Sequence, residues 1–145
     1  MFIIDNSFSF TPYIDFDEQK APNIDKLLQN IEEYIYDKAR KSIVDGQTVR
    51  VINISGLANY HHTELANYLK SNKHNCLLES GEFGTTPVKH CWLKVDDFLV
   101  DLTLKQFEDS QHSAPSFLRS LFNTHCFISN RPQSLIYQLY RKIDE

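Results

Sequence analysis

Residues 89–107 read "KHCWLKVDDFLVDLTLKQF" (Lys89–Phe107), and how this segment folds decides most of what the chain can do. Apolar residues alternate on both sides of Asp96-Asp97, and two such runs separated by a polar pair are a hairpin signal. A two-residue loop sets Val95 opposite Phe98, Trp92 opposite Asp101 and His90 opposite Thr103. Side chains alternate along a strand, so His90, Trp92, Asp101 and Thr103 then share one face. His90 and Asp101 become diagonal neighbours with Cβ atoms about 7 Å apart, near enough for imidazole and carboxylate to meet. A symmetric longer loop keeps that parity, whereas one extra loop residue destroys it. Cys91 and Leu93 point the other way, so Cys91 is expected to be a core cysteine rather than a partner of His90.

Outward from the hairpin, helix and strand patterns mix. The clearest helical pattern is "APNIDKLLQNIEEYIYDKARKSIVDGQ", with Asn23 after Pro22 as its N-cap. Ile24, Leu27, Leu28, Ile31 and Ile35 recur at helical spacing, and Asp45-Gly46 is the expected stop. "TVRVINIS" alternates as a strand through Val49 and Val51 towards Ile54, and Gly56 ends it. "LANYHHTELANYLK" predicts a second helix with Ala58, His62, Leu65, Ala66 and Leu69 along one stripe. "NCLLESGEF" predicts a strand leading to a loop at Gly84–Pro87, followed by the two hairpin strands near His90–Val95 and Phe98–Leu102. Thr103 and Gln106 fit a capping box at the start of a short helix. A second short helix near Ser116–Phe122 and a strand at His125–Ile128 follow. "SLIYQLYRKI" fits helix and strand equally. Residues 1–22 are expected to form an irregular arm on a single domain spanning 1–145.

At 145 residues, with 41% hydrophobic and 23% charged side chains, the chain has the makeup of one soluble globular domain. A net charge of −4 and the lack of Lys/Arg runs among aromatics argue against nucleic acid or a membrane as partner. No stretch reaches the roughly 18 apolar residues that cross a bilayer, and the first twenty residues lack an export pattern. Cys76, Cys91 and Cys126 are odd in number and form no C-x-x-C pair, which suits reduced thiols in the cytoplasm and argues against structural zinc. Delivery into another cell as an effector leaves no mark in such a sequence. His61 and His62 are adjacent and so point about 100° apart on a helix, a poor start for one ion. No metal and no cofactor are therefore expected, even with His90, Asp101 and His125 considered as further ligands. One of His61 and His62 is expected to line the mouth of a cleft or to face solvent.

The Lys89–Phe107 segment resembles the His and Asp segment of transglutaminase-like, papain-like cysteine hydrolases, in the small bacterial or phage form. There a histidine heads one strand and an aspartate on the next orients it, followed by a Thr and a Gln-Phe pair. His90, Trp92, Asp101, Thr103, Gln106 and Phe107 match as they stand, and the resemblance runs from about Gly56 to Phe107. It implies an α+β papain-like or transglutaminase core, with helices packed on an antiparallel sheet. It also implies a nucleophilic cysteine after a glycine at the start of the second helix. There a helix N-terminus and a nearby imidazolium lower a thiol's pKa. The match falls on Gly56-Leu57-Ala58, so alanine stands in the nucleophile slot.

Three readings accommodate that alanine. The chain carries an engineered cysteine-to-alanine change at position 58; or Ala58 is natural and the domain is a pseudoenzyme, such as an inhibitor or immunity-type binding partner; or Ser55, Thr63, Cys76 or Cys126 acts instead. Ala58 also fits as a small buried residue ending the apolar stripe. On the first reading the resemblance implies a protease, deamidase or transglutaminase acting on peptide or protein amides. Position 58 attacks, His90 is the base and Asp101 its orienter. Backbone N–H groups near Ala58 and Asn59 stabilise the oxyanion, with Trp92, His61, His62 and Gln106 around the cleft. The expected partner is a protein or peptide substrate, and the oligomeric state is not legible.

Overall fold

The computed structural model describes residues 2–4, 10–19, 24–52 and 58–143. Strands β1 (Phe2–Ile4) and β2 (Tyr13–Asp15) precede helix α1 (Asp25–Lys38), after which β3 (Arg40–Val44) and β4 (Gln47–Ile52) form a hairpin. Helix α2 (Ala58–Ser71) leads to β5 (Cys76–Phe83), β6 (Val88–Val95) and β7 (Phe98–Asp101). A 3₁₀ turn (Leu104–Phe107), a single-turn helix α3 (Ser116–Arg119), β8 (Phe127–Ser129), a 3₁₀ turn (Tyr137–Leu139) and β9 (Tyr140–Lys142) complete the order. The strands form a three-stranded sheet β1-β4-β3 and a six-stranded sheet β2-β8-β7-β6-β5-β9. The architecture is α+β.

The hairpin has the two-residue loop that parity requires: Val95 pairs with Phe98, Lys94 with Leu99 and Leu93 with Val100. Asp96 takes the turn at φ +52, and its carboxylate accepts the Asn75 amide at 3.1 Å, tying the turn to the loop after α2. Period-2 alternation then sends residues to two cores. Leu93, Val95 and Val100 join Ile24, Leu27, Ile31, Ile35, Leu65 and Leu69 beneath α1 and α2. Trp92 and Leu99 join Phe83, Phe122, Phe127 and Tyr140 on the opposite face. Leu65 and Leu69 are wholly buried, and truncating either to alanine costs about 2–5 kcal/mol through lost transfer energy and the cavity left behind.

Several expectations need correction. The first helix ends at Lys38, and residues 40–44 are a strand paired with β4 across Asp45-Gly46. Both turn residues have positive φ, +53 and +78, so this Asp-Gly is a hairpin turn rather than a helix stop. Residues 1–22 are not an irregular arm where described, because β1 pairs with β4 and β2 runs parallel to β8. That parallel pair makes the large sheet mixed instead of antiparallel. "SLIYQLYRKI" is neither helix nor strand alone, since a 3₁₀ turn hands over directly to β9. Ile24, not Asn23, holds the N-cap position of α1 and makes no side-chain cap; Asn23, Ile54, Ser55 and Gly56 lie outside the described residues.

Candidate active site

The site forms where β7 ends. Asp101 is the last residue of that strand, paired with Phe127 of β8, and its carboxylate is completely buried. Four donors converge on it. His90 Nε2 lies 2.9 Å from Oδ2, and the Tyr140 hydroxyl donates to the same oxygen at 2.7 Å. The Thr103 amide and hydroxyl donate to Oδ1 at 2.8 and 3.0 Å. Burial alone would raise the carboxyl's pKa; the two imidazoles beside it, His90 before His62, outweigh burial and hold Asp101 well below the usual carboxylate range. An ionised carboxylate accepts only, so His90 donates through Nε2–H and keeps its Nδ1 lone pair as the basic atom.

Aromatic rings fix the imidazole. Phe107 meets it edge-on at 5.0 Å between centroids, Phe83 at 5.8 Å, and Trp92 lies tilted at 5.9 Å. Trp92 is itself 2% exposed, donates to Glu79 Oε1 at 3.3 Å, and packs on Tyr140. It therefore backs His90 from the core and does not wall the cleft. Gly81, opposite His90 in the β5–β6 ladder, has no room for a side chain. An added Cβ would strike the Arg141 carbonyl and come within 2.8 Å of the Trp92 ring.

In front of His90 opens a cleft of about 750 Å³ whose walls include Ala58, Asn59, Gln106, Cys91 and Lys89. Ala58 is the first described residue of α2 and is half-buried, so position 58 and the base open on one cavity. Gln106 donates to the Thr103 hydroxyl at 3.0 Å, linking the cleft wall through Thr103 to Asp101. The Thr103 hydroxyl is thus turned to the carboxylate, and no side-chain cap forms on the 3₁₀ turn that starts there, contrary to the capping box. Asn59 is exposed at the helix start, beside the cleft.

His61 and His62 do not line the cleft mouth or face solvent. His61 is 8% exposed, its ring is edge-on to Tyr60, and its carbonyl accepts from Tyr34. His62 is wholly buried beside Asp101. Its Nδ1 lies 2.8 Å from the Ala58 carbonyl, and its Nε2 accepts the Leu102 amide at 2.9 Å. These two bonds require one tautomer, with the proton on Nδ1. The 3.4 Å approach of Nε2 to Asp101 Oδ1 is therefore a contact without a bridging proton.

No family model, curated protein or solved structure matches the chain. The alternative nucleophiles sit poorly. Thr63 is exposed on α2, bonded weakly to Asn59. Cys126 is enclosed in the helix-side core, and burial pushes its thiol up. Cys76 is raised to about 11 by burial and Asp96, and Cys91 to about 11 by burial and Asp101. Cys91 does reach the cleft wall, which its parity did not suggest. Tyr140 was missed altogether; it comes 39 residues after Asp101, and nothing local in "YQLYRKI" marks it. Among the described residues no cluster of three or more His, Cys, Asp or Glu is arranged to hold a metal ion.

Proposed function

We propose that this cleft is the acyl-transfer site of a papain-like, transglutaminase-like cysteine hydrolase or acyltransferase, present here with alanine in the nucleophile slot. The observation that carries the proposal is the shared cavity: Ala58 and His90 line one cleft, with Asp101 buried behind the imidazole. With cysteine at position 58, His90 Nδ1 takes the thiol proton and later returns it to the leaving amine. Asp101 keeps the proton on Nε2 of the resting imidazole and stabilises the charged ring. The start of α2 favours both the thiolate and the oxyanion of the tetrahedral intermediate. Water as acceptor gives proteolysis or deamidation, and an amine gives transamidation.

The chain with Ala58 retains the cleft but lacks the attacking atom, so on this proposal it binds a peptide or protein amide without turning it over. That is also what a natural pseudoenzyme of the binding-module kind would do, and Ala58 itself is the observation that favours this second reading. An acylation test separates an intact catalytic frame from a cleft that only binds. Ala58→Cys is mixed with p-nitrophenyl acetate, and the chain is mapped by mass spectrometry. The expected result is a burst of p-nitrophenolate and an acetyl group at position 58, both lost on adding His90→Ala. Acetylation confined to lysines, or equal with and without His90, rejects the catalytic reading.

A further inference from the structure

His62 has no part in the chemistry just proposed, yet it is as fully enclosed as Asp101. Its ring reaches two elements at once. On one side Nδ1–H donates to the carbonyl of residue 58, in the first turn of α2. On the other side Nε2 accepts the amide of Leu102, the first residue beyond Asp101 and the β7–β8 ladder. An imidazole is a rigid plate with a donor at one edge and an acceptor at the other, so it fixes the separation of the groups it joins. A leucine of similar bulk would fill the space and join neither. The ring also stands edge-on to His90 at 6.4 Å, so it packs on the base without hydrogen-bonding to it.

We infer that His62 is a positioning residue: a neutral Nδ1–H imidazole that ties the backbone of position 58 to the strand end carrying Asp101, and so sets where a nucleophile at position 58 stands relative to His90. The purpose of the tie rests on the proposed function, whereas the tie itself rests on the two hydrogen bonds. Its geometry also rules out a second role. With the Nε2 lone pair committed to the Leu102 amide, His62 cannot accept a proton from substrate, and of the two histidines only His90 donates to Asp101. The two histidines beside this carboxylate carry opposite tautomers, Nδ1–H on His62 and Nε2–H on His90.

The tie is read first in the chain as it stands, by nitrogen NMR of the imidazole rings near neutral pH. The expected spectrum has His62 protonated on Nδ1, bare on Nε2 and coupled to the Leu102 amide. A His62 ring protonated on Nε2, donating towards Asp101, overturns the inference. Positioning is read next in Ala58→Cys, by the rate of iodoacetamide alkylation at a pH below the ordinary thiol range. His62→Leu is expected to slow it about tenfold or more, the effect of one pKa unit on the thiolate fraction. His62→Gln, whose side-chain oxygen can still accept the Leu102 amide, is expected to recover part of the rate. Circular dichroism establishes that each variant is folded, and His62→Gln carries the test if His62→Leu is not. Folded variants that alkylate as fast as the His62 chain overturn the positioning role. An ordinary, slow thiol in Ala58→Cys beside the expected His62 tautomer counts against the proposed function and upholds the tie.

Discussion

Tyr140→Phe removes one oxygen and leaves nearly everything else in place. The ring keeps its packing on Phe83, Trp92 and Phe127, at 4.8, 5.2 and 5.8 Å between centroids. What is lost is the 2.7 Å donation to a fully buried carboxylate. A hydrogen bond to a charged group contributes about 1.5–3 kcal/mol, so stability at pH 7 should fall by about that much. The pH dependence follows from two shifts. Asp101's folded pKa lies well below its ordinary value, because the neighbouring imidazoles of His90 and His62 outweigh burial. Its stabilisation is therefore complete above the unfolded value of about 3.9 and is lost as pH falls through the folded one. Tyr140's pKa is raised well above 10.0 by burial and by Asp101. The contribution of the neutral phenol is therefore complete below about 10 and is lost as pH climbs towards the folded value. The difference between parent and variant should form a plateau from about pH 4 to pH 10 and shrink on either side. Urea denaturation at a series of pH values, followed by the fluorescence of Trp92, the single tryptophan, measures it directly. A difference under about 0.5 kcal/mol at pH 7, or one that stays flat into strong alkali, refutes the assignment of Tyr140 as a donor to Asp101.

Other substitutions probe the frame. Gly81→Ala should destabilise by about 2 kcal/mol or more, because its methyl group must displace the Arg141 backbone and the Trp92 ring; an unchanged melting temperature would contradict the close approach of β9. Asp101→Asn should cost about 3 kcal/mol in urea denaturation, since Tyr140 and Thr103 lose a charged acceptor in a buried site; a neutral substitution would contradict the four-donor arrangement. In the parent chain, Cys91 with its thiol near 11 should be alkylated at pH 8 about two orders of magnitude more slowly than an ordinary thiol, with the cysteines reacting freely only after unfolding. Fast labelling of Cys91 in the folded chain would show that Asp101 and burial do not act on it as described.

How much of this was legible in the sequence depended on the range of the interaction. The Asp96-Asp97 hairpin was legible because its signal is local: alternation on both sides of a short polar turn fixes register, and register brings His90 to Asp101. The apolar stripes of α1 and α2 were legible for the same reason. Asp45-Gly46 was also local but ambiguous, since glycine after a helical pattern marks a C-terminus and Asp-Gly marks a tight hairpin. The β-branched Ile43 and Val44 before it, and the alternating strand after it, favour the hairpin. Strands β1 and β2 escaped notice because three-residue segments carry almost no periodicity, and long-range partners complete them: Val51 for Ile3, and Ile128 for Ile14. At the site, parity placed the pair together with Trp92 and Thr103, while the partners from more distant segments lay beyond it. Tyr140 arrives through the β5–β9 pairing, and His62, which its spacing already put on the buried stripe of α2, finds its acceptor and donor in the Ala58 carbonyl and the Leu102 amide. Neither contact has a sequence signature.

The measurement that bears most directly on the site is the pH profile of alkylation at position 58. Iodoacetamide is reacted with Ala58→Cys, with the parent chain as background and with Ala58→Cys, His90→Ala as control. If position 58, His90 and Asp101 form one catalytic frame, the new thiol titrates at least about one unit below the ordinary 8.5, and the double variant loses that advantage. A thiol that titrates near 8.5 whether or not His90 is present contradicts the catalytic reading and leaves the cleft as a binding surface.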